Sequence, residues 1–324
     1  MKTMSFPVHP RITAKLINQI VVSFIFLYAI APALHARNNA ALQLTLEPSK
    51  HELVIGEPLY VTLRLRNNGH VSVKVMDNFR INNEALAVFA IGESHQRLHY
   101  RPMTLALQQT KPIQLAPGEE ITALAAIFFG SSGWYIVNRE GTYQLQARYR
   151  MPLHTGRLDV ASEPITVTVS PGDGAGRFLI DGDRNGEAAK FLFWQGGDHL
   201  QRGITHLAKL MADYPQSPLA DYIRVAMAAS YSRPFKNYSI DKLRPINCPY
   251  TLEALRGLNQ ESLPIVLRVR SSLDQARCLI TLGRHTEARQ VLIPALRYID
   301  ANTAFRPLLK EAVQLEPMLS DKTR

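Results

Sequence analysis

Residues 213–233 read DYPQSPLADYIRVAMAASYSR, and they hold a helix stop and a helix start almost back to back. Tyr214-Pro215 closes the helix before it, because the residue ahead of a proline is pushed out of the α region. Ser217 is a good N-cap, and Pro218 suits the first turn, where a missing N–H costs nothing. LADYIRVAMAASYS then runs on as a second helix. On the near side, DHLQRGITHLAKLMADYP sets Leu200, Ile204, Leu207, Leu210 and Met211 on one stripe. A short capped turn between two such helices is the junction of a helical hairpin. Further on, DQARCLITLGRHTEARQVLIPALRY places Ala276, Leu282, Gly283, Ala288, Leu292 and Ala295 where two helices can approach closely. Pro294 falls in the second of these helices and should kink or end it. The segment between the hairpins is irregular and punctuated by proline.

Upstream the hydrophobic period changes from 3.6 to two. PLYVTLRLRNNG puts Leu59, Val61, Leu63 and Leu65 on one face, with Thr62, Arg64 and Arg66 on the other. Asn67-Asn68-Gly69 reads as a turn, since Asn and Gly tolerate positive φ. Pro117-Gly118 marks a second turn. EGTYQLQARYRM alternates again, with Tyr143, Leu145, Ala147 and Tyr149 facing one way, and SEPITVTV supplies a last strand. Repeated short strands with turn signals predict an antiparallel sandwich. Between the halves, SPGDGAGRFLIDGDRNGEAAKF is rich in Gly and Asp and reads as a linker.

Two resemblances follow from these residues. IGEPLYVTLRLRNNG, LAPGEE and GTYQLQARYR resemble the signature stretches of bacterial secreted immunoglobulin-like domains. The YPQSPLA turn and the spacing of small residues after Asp274 resemble tetratricopeptide-like proteins of the bacterial envelope. The first implies a sandwich fold and the second an array of helical hairpins. Such arrays expose grooves that bind peptides or other proteins. Neither resemblance implies a catalytic residue.

The chain of 324 residues is long enough for two domains, and 46% hydrophobic residues supply ordinary core material. Its first 36 residues combine a basic stretch ending at Lys15, an apolar run over residues 20–31 and small residues at Ala31, Ala33 and Ala36. That is the pattern of a secretory signal peptide, and the run is short of the ~20 residues a spanning helix needs. We expect a periplasmic or secreted protein with no stable membrane span after cleavage. The formal charge is +10. Residues 37–176 hold 13 basic and 12 acidic side chains, and residues 177–324 hold 21 and 15, so the helical half carries the excess. Most of it is arginine spread along helices, which suits a solvated surface or an anionic partner. An exported chain argues against nucleic acid. The two cysteines, Cys248 and Cys278, leave two readings open: a disulfide, or a buried thiol at Cys278 within a helical pattern.

Constellations that could carry chemistry are few. Asp181, Asp183 and Asn185 with Gly186 match the opening of a calcium loop, but the twelfth position is Leu192, not a bidentate carboxylate. The alternative is a polar linker whose Asp and Asn cap the next helix. His95 and His99 lie in a strand pattern at a spacing too long to share one metal. Ser131 and Ser132 lack the strand–turn–helix setting of a nucleophile elbow. Trp134 and Tyr135 read as packing at the sandwich edge or as a presented aromatic contact.

The expected organisation is therefore a signal peptide over residues 1–36, an immunoglobulin-like β-sandwich over 37–170, a Gly/Asp-rich linker over 171–186, and an α-helical tetratricopeptide-like domain over 187–324. The fold class is all-β plus all-α, and the two halves are expected to fold separately. The expected function is that of a non-catalytic binding scaffold with no cofactor and no metal. Its partner would be a protein or peptide, an acidic one included, met by Arg224, Arg268, Arg270 and Arg277. An enzyme or enzyme-inhibitor module and an adhesin-like structural module with an open strand edge are the competing classes.

Overall fold

Strict alternation makes the first half a set of strands. The computed structural model describes residues 42–77, 79–81, 85–92, 97–103, 111–133, 135–237 except 154 and 155, and 240–317. The leader, His95 and Trp134 lie outside these residues.

Strands β1 (Leu42–Pro48), β3 (Leu59–Asn67) and β8 (Glu120–Ile127) form an antiparallel three-stranded sheet with β3 in the middle. A second sheet runs in the order β2 (Glu52–Val54), β11 (Ile165–Ser170), β9 (Gly141–Leu153), β5 (Leu86–Ile91), β6 (Arg97–Tyr100). Strand β10 (Gly156–Ala161) also pairs with β9, beyond the end of β11. Strands β4 (Val73–Met76) and β7 (Pro112–Leu115) pair apart from both sheets. Leu59, Val61, Leu63 and Leu65 all point inward, as the alternation predicts, and join Leu44, Val88, Leu145, Ala147 and Val167 in one core enclosed by the two sheets. Asn67 closes the turn after β3 by a different device from positive φ. Its buried carboxamide accepts the Gly69 N–H at 2.9 Å and donates to the carbonyls of Val71 and Leu115, both at 2.8 Å.

The second half is helical: α1 (Ala175–Gly182), α2 (Glu187–Trp194), α3 (Gln201–Asp213), α4 (Pro218–Tyr231), α5 (Cys248–Leu255), α6 (Ile265–Thr281), α7 (His285–Ala301) and α8 (Arg306–Leu315). A short hairpin, β12 (Phe235–Asn237) with β13 (Lys242–Arg244), precedes α5. Ser217 caps α4 by accepting the Leu219 N–H, with Pro218 in the first turn. Helix α7 runs through Pro294 without ending there. Cys248 at the start of α5 and Cys278 in α6 form a disulfide, which decides between the two readings of the cysteines.

The segment expected to be a linker is not one throughout. It holds α1, whose Ala175 N–H is accepted by the Asp173 side chain. A Cβ at Gly176 would collide with the Ile55 carbonyl, so glycine here lets the helix backbone lie directly on the sheet half. Around this contact a core crosses the expected boundary. Phe128, Phe129 and Tyr135 from the strand half pack with Ala175, Leu179, Ala188, Phe191, Leu207, Leu219 and Ile223. Tyr135 fits edge-on between both phenylalanine rings. Among the described residues, no helix is long and apolar enough to cross a membrane.

Candidate functional site

The outward face of the three-stranded sheet is where helices meet strands. Tyr60 on β3 has the parity of Thr62 and Arg64, so its side chain leaves the core. Its ring stacks on Tyr222 of α4, with centroids 6.4 Å apart and planes 17° from parallel. The Tyr222 hydroxyl donates to Glu57 Oε1 at 2.8 Å. Glu57 is only 1% exposed; its Oε2 accepts the Val54 N–H at 3.0 Å, and Lys50 neutralises it. A buried carboxylate is tolerated only when paired and hydrogen-bonded in this way.

Beside this latch lies a cleft of about 410 Å³ between the sheet and helices α2, α6 and α8. Leu124, Phe193, Val266 and Leu308 supply apolar walls, and Tyr60 and Arg270 supply polar groups. Junctions between packed units are a common place for binding sites. The Arg270 guanidinium donates to Gln195 Oε1 at 3.3 Å. Among the described residues it pairs with no carboxylate, whereas Arg224, Arg233, Arg244, Arg256, Arg277 and Arg284 of this half do. Burial pushes the Tyr60 hydroxyl up to about 12, with the Arg270 charge opposing the shift. The Tyr100 hydroxyl, which donates to the Ala126 carbonyl at 2.8 Å, is raised mainly by burial as well. Neither phenol can serve as a base near neutral pH. Arg80 adds a second, exposed guanidinium to the lining.

The four arginines expected to bind a partner do not share one surface role. Arg224 donates to Asp221 at 2.8 Å and to the Pro215 carbonyl. Arg277 pairs with Asp274 at 2.7 Å and with Glu311. Asp274, 2% exposed on its side chain, also accepts from Ser232 at 2.7 Å, so this cluster ties α6 to the end of α4 and to α8. Arg268 holds its Nε buried and, among the described residues, without a hydrogen-bond partner. Only Arg270 faces the cleft. Asp183 spends both oxygens on the fold: it accepts the N–H groups of Ala188 and Ala189 at 2.9 Å each and the Tyr135 hydroxyl at 2.8 Å. The helix-capping reading accounts for it. Among the described residues no group of three or more His, Cys, Asp or Glu side chains is placed to hold a metal ion.

Sequence reasoning did not find Tyr60, Glu57 or Tyr222. An aromatic residue among the polar outward positions of β3 was the available signal, since tyrosine there needs a surface to cover.

No family model matches the chain, and no curated protein matches it in sequence. Among solved structures, the CARDB domain of a Pyrococcus furiosus protein, determined in complex with di-metal ions, matches at 12% identity and a TM-score of 0.23, over 40% of this chain and 87% of that one. A β-glucosidase from Erythrobacter marinus matches at 11% identity and a TM-score of 0.23, and one from Listeria innocua in complex with glucose at 15% and 0.23. Each of these covers 40% of this chain, which spans only 15% and 16% of the two glucosidases. Likenesses this slight carry no argument about activity.

Proposed function

We propose that this chain is an exported, non-catalytic protein-binding scaffold of the cell envelope or secreted fraction, built from an immunoglobulin-like sandwich and a tetratricopeptide-like helical array. The junction cleft receives an apolar residue of the partner, and Arg270 receives its carboxylate. The observation that carries this reading is the Arg270 guanidinium, held in an apolar-walled cleft with no carboxylate of its own among the described residues. A planar guanidinium pairs a carboxylate bidentately, while the walls exclude water and strengthen the pair. An enzyme would need a nucleophile and a base converging in the same space; the Thr122 hydroxyl of this lining has no His, Asp or Glu beside it among the described lining residues, and burial keeps the phenols protonated near neutral pH.

The test uses a fluorescent tripeptide ending in leucine, as the free acid and as the amide. The acid should bind, weaken as salt is raised, and lose at least tenfold in affinity with Arg270→Met. Equal binding of acid and amide, unchanged by Arg270→Met, would remove the cleft from the proposal.

A further inference from the structure

Among the described residues, strand β1 lies at the edge of its sheet, with β3 as its one partner. The register and one hydrogen bond show which of its backbone groups are used. Ser49 N–H donates to the Tyr60 carbonyl, so residues of that parity, Gln43, Thr45 and Glu47, turn their N–H and C=O toward β3. Leu42, Leu44 and Leu46 turn theirs the other way. Pro48 has the same parity and no N–H, so it ends the free ladder where an edge strand tolerates proline. On the far side, Ser162 N–H donates to the Ala147 carbonyl, which leaves the backbone groups of Asp159 and Ala161 turned away from β9.

Between these two edges runs a groove of about 740 Å³. All six consecutive residues from Leu42 to Glu47 line it. Side chains alternate faces along a strand, so an unbroken run of lining residues is the mark of a backbone edge. Val160, Ala161 and Ile165 form part of the opposite wall. Leu44 and Leu46 are only 3% and 4% exposed, because their side chains lie in the core while their outward backbone groups line the groove. An open row of strand N–H and C=O groups is a template for pairing, and an added strand would satisfy it.

We propose that the β1 edge is a strand-addition site, which takes an extended, basic peptide segment of another protein. Extended shape follows from the ladder: main-chain hydrogen bonds supply affinity and alternate side chains supply selectivity. The groove is concave and flanked by two edges, which admits a single strand more readily than the folded edge of a second copy. Basic character follows from the lining, which holds the carboxylates of Glu47, Asp159 and Glu163 and no Lys or Arg. Asp159 is bound by Arg148 at 2.6 Å and lies 3.4 Å from Arg150, and Glu47 lies 3.5 Å from Arg64, so the unneutralised charge of the lining is that of Glu163. Glu163 is exposed and pairs with no base among the described residues.

The experiment follows amide hydrogen exchange in the whole protein as an acetylated, amidated Lys-Val-Lys-Val-Lys-Val-Lys peptide is titrated in. The amides of Leu44 and Leu46 should slow at least tenfold, while those of Thr45 and Glu47, already bonded to β3, should not change. Glu163→Lys should weaken the peptide at least threefold, and methylating every peptide nitrogen should abolish binding while leaving its charge intact. If Leu44 and Leu46 already exchange as slowly as Thr45 in the free protein, the edge is covered and the proposal fails. It fails equally if an excess of peptide leaves both amides unaltered.

Discussion

Tyr222→Phe isolates the latch between strands and helices. The substitution keeps the ring stacked on Tyr60 and deletes one oxygen, the donor to Glu57 Oε1. Glu57 keeps Lys50 and the Val54 N–H but loses one of its hydrogen bonds. A hydrogen bond to a buried charged group contributes about 1.5–3 kcal/mol. With an unfolding entropy of about 2.1 cal/mol/K per residue, each kcal/mol moves the melting temperature of a chain this long by roughly 1.5 °C, so the variant should melt roughly 2–5 °C lower. Urea unfolding followed by circular dichroism measures the change directly. Glu57→Gln and the double variant complete a cycle, whose coupling energy should exceed about 1 kcal/mol for groups in one network. Because this bond and the Phe128–Phe129–Tyr135 core both join strands to helices, unfolding should occur in one transition rather than the two that separately folding halves would give. A Tyr222→Phe protein within about 0.5 kcal/mol of the parent, with no coupling to Glu57, would show that Lys50 and Val54 alone hold the carboxylate, and the latch would be refuted.

Two further outcomes rest on other groups. Replacing Cys248 and Cys278 together by alanine opens a link across a separation of 30 residues, and stability should fall by about 3–4 kcal/mol by the loop-closure relation; an unchanged urea midpoint in the parent after reduction would show that the sulfurs are not bridged. Tyr60 has its pKa raised from 10.0 to about 12, so below pH 10 both states hold the proton and nothing is lost. From there upward the unfolded chain ionises first and stability falls until about pH 12. Tyrosinate absorbance should therefore show a late-titrating fraction that Tyr60→Phe reduces, and an unchanged titration curve would contradict the burial of this hydroxyl.

The sequence by itself determined what is local. Alternation set the inward faces of β3 and β9, because side chains on a strand have a period of two whatever surrounds them. Ser217-Pro218 set the start of α4, because a cap needs only its own next residues. Of the cleft, the sequence singled out Arg270 but ranked it with Arg224 and Arg277, which meet acids of their own, and with Arg268, which does not line the cleft. Charge and spacing cannot show that Arg224 and Arg277 meet acids of their own, since Glu311 lies far along the chain from Arg277. Nor could they show α1, whose glycines read as a linker until Gly176 is seen against Ile55. Glu57 and Tyr222 stand 165 residues apart, and nothing in either neighbourhood specifies the other. Only tertiary structure decides such pairs, because the free energy of a buried carboxylate depends on every group brought around it, and chain folding alone brings them there.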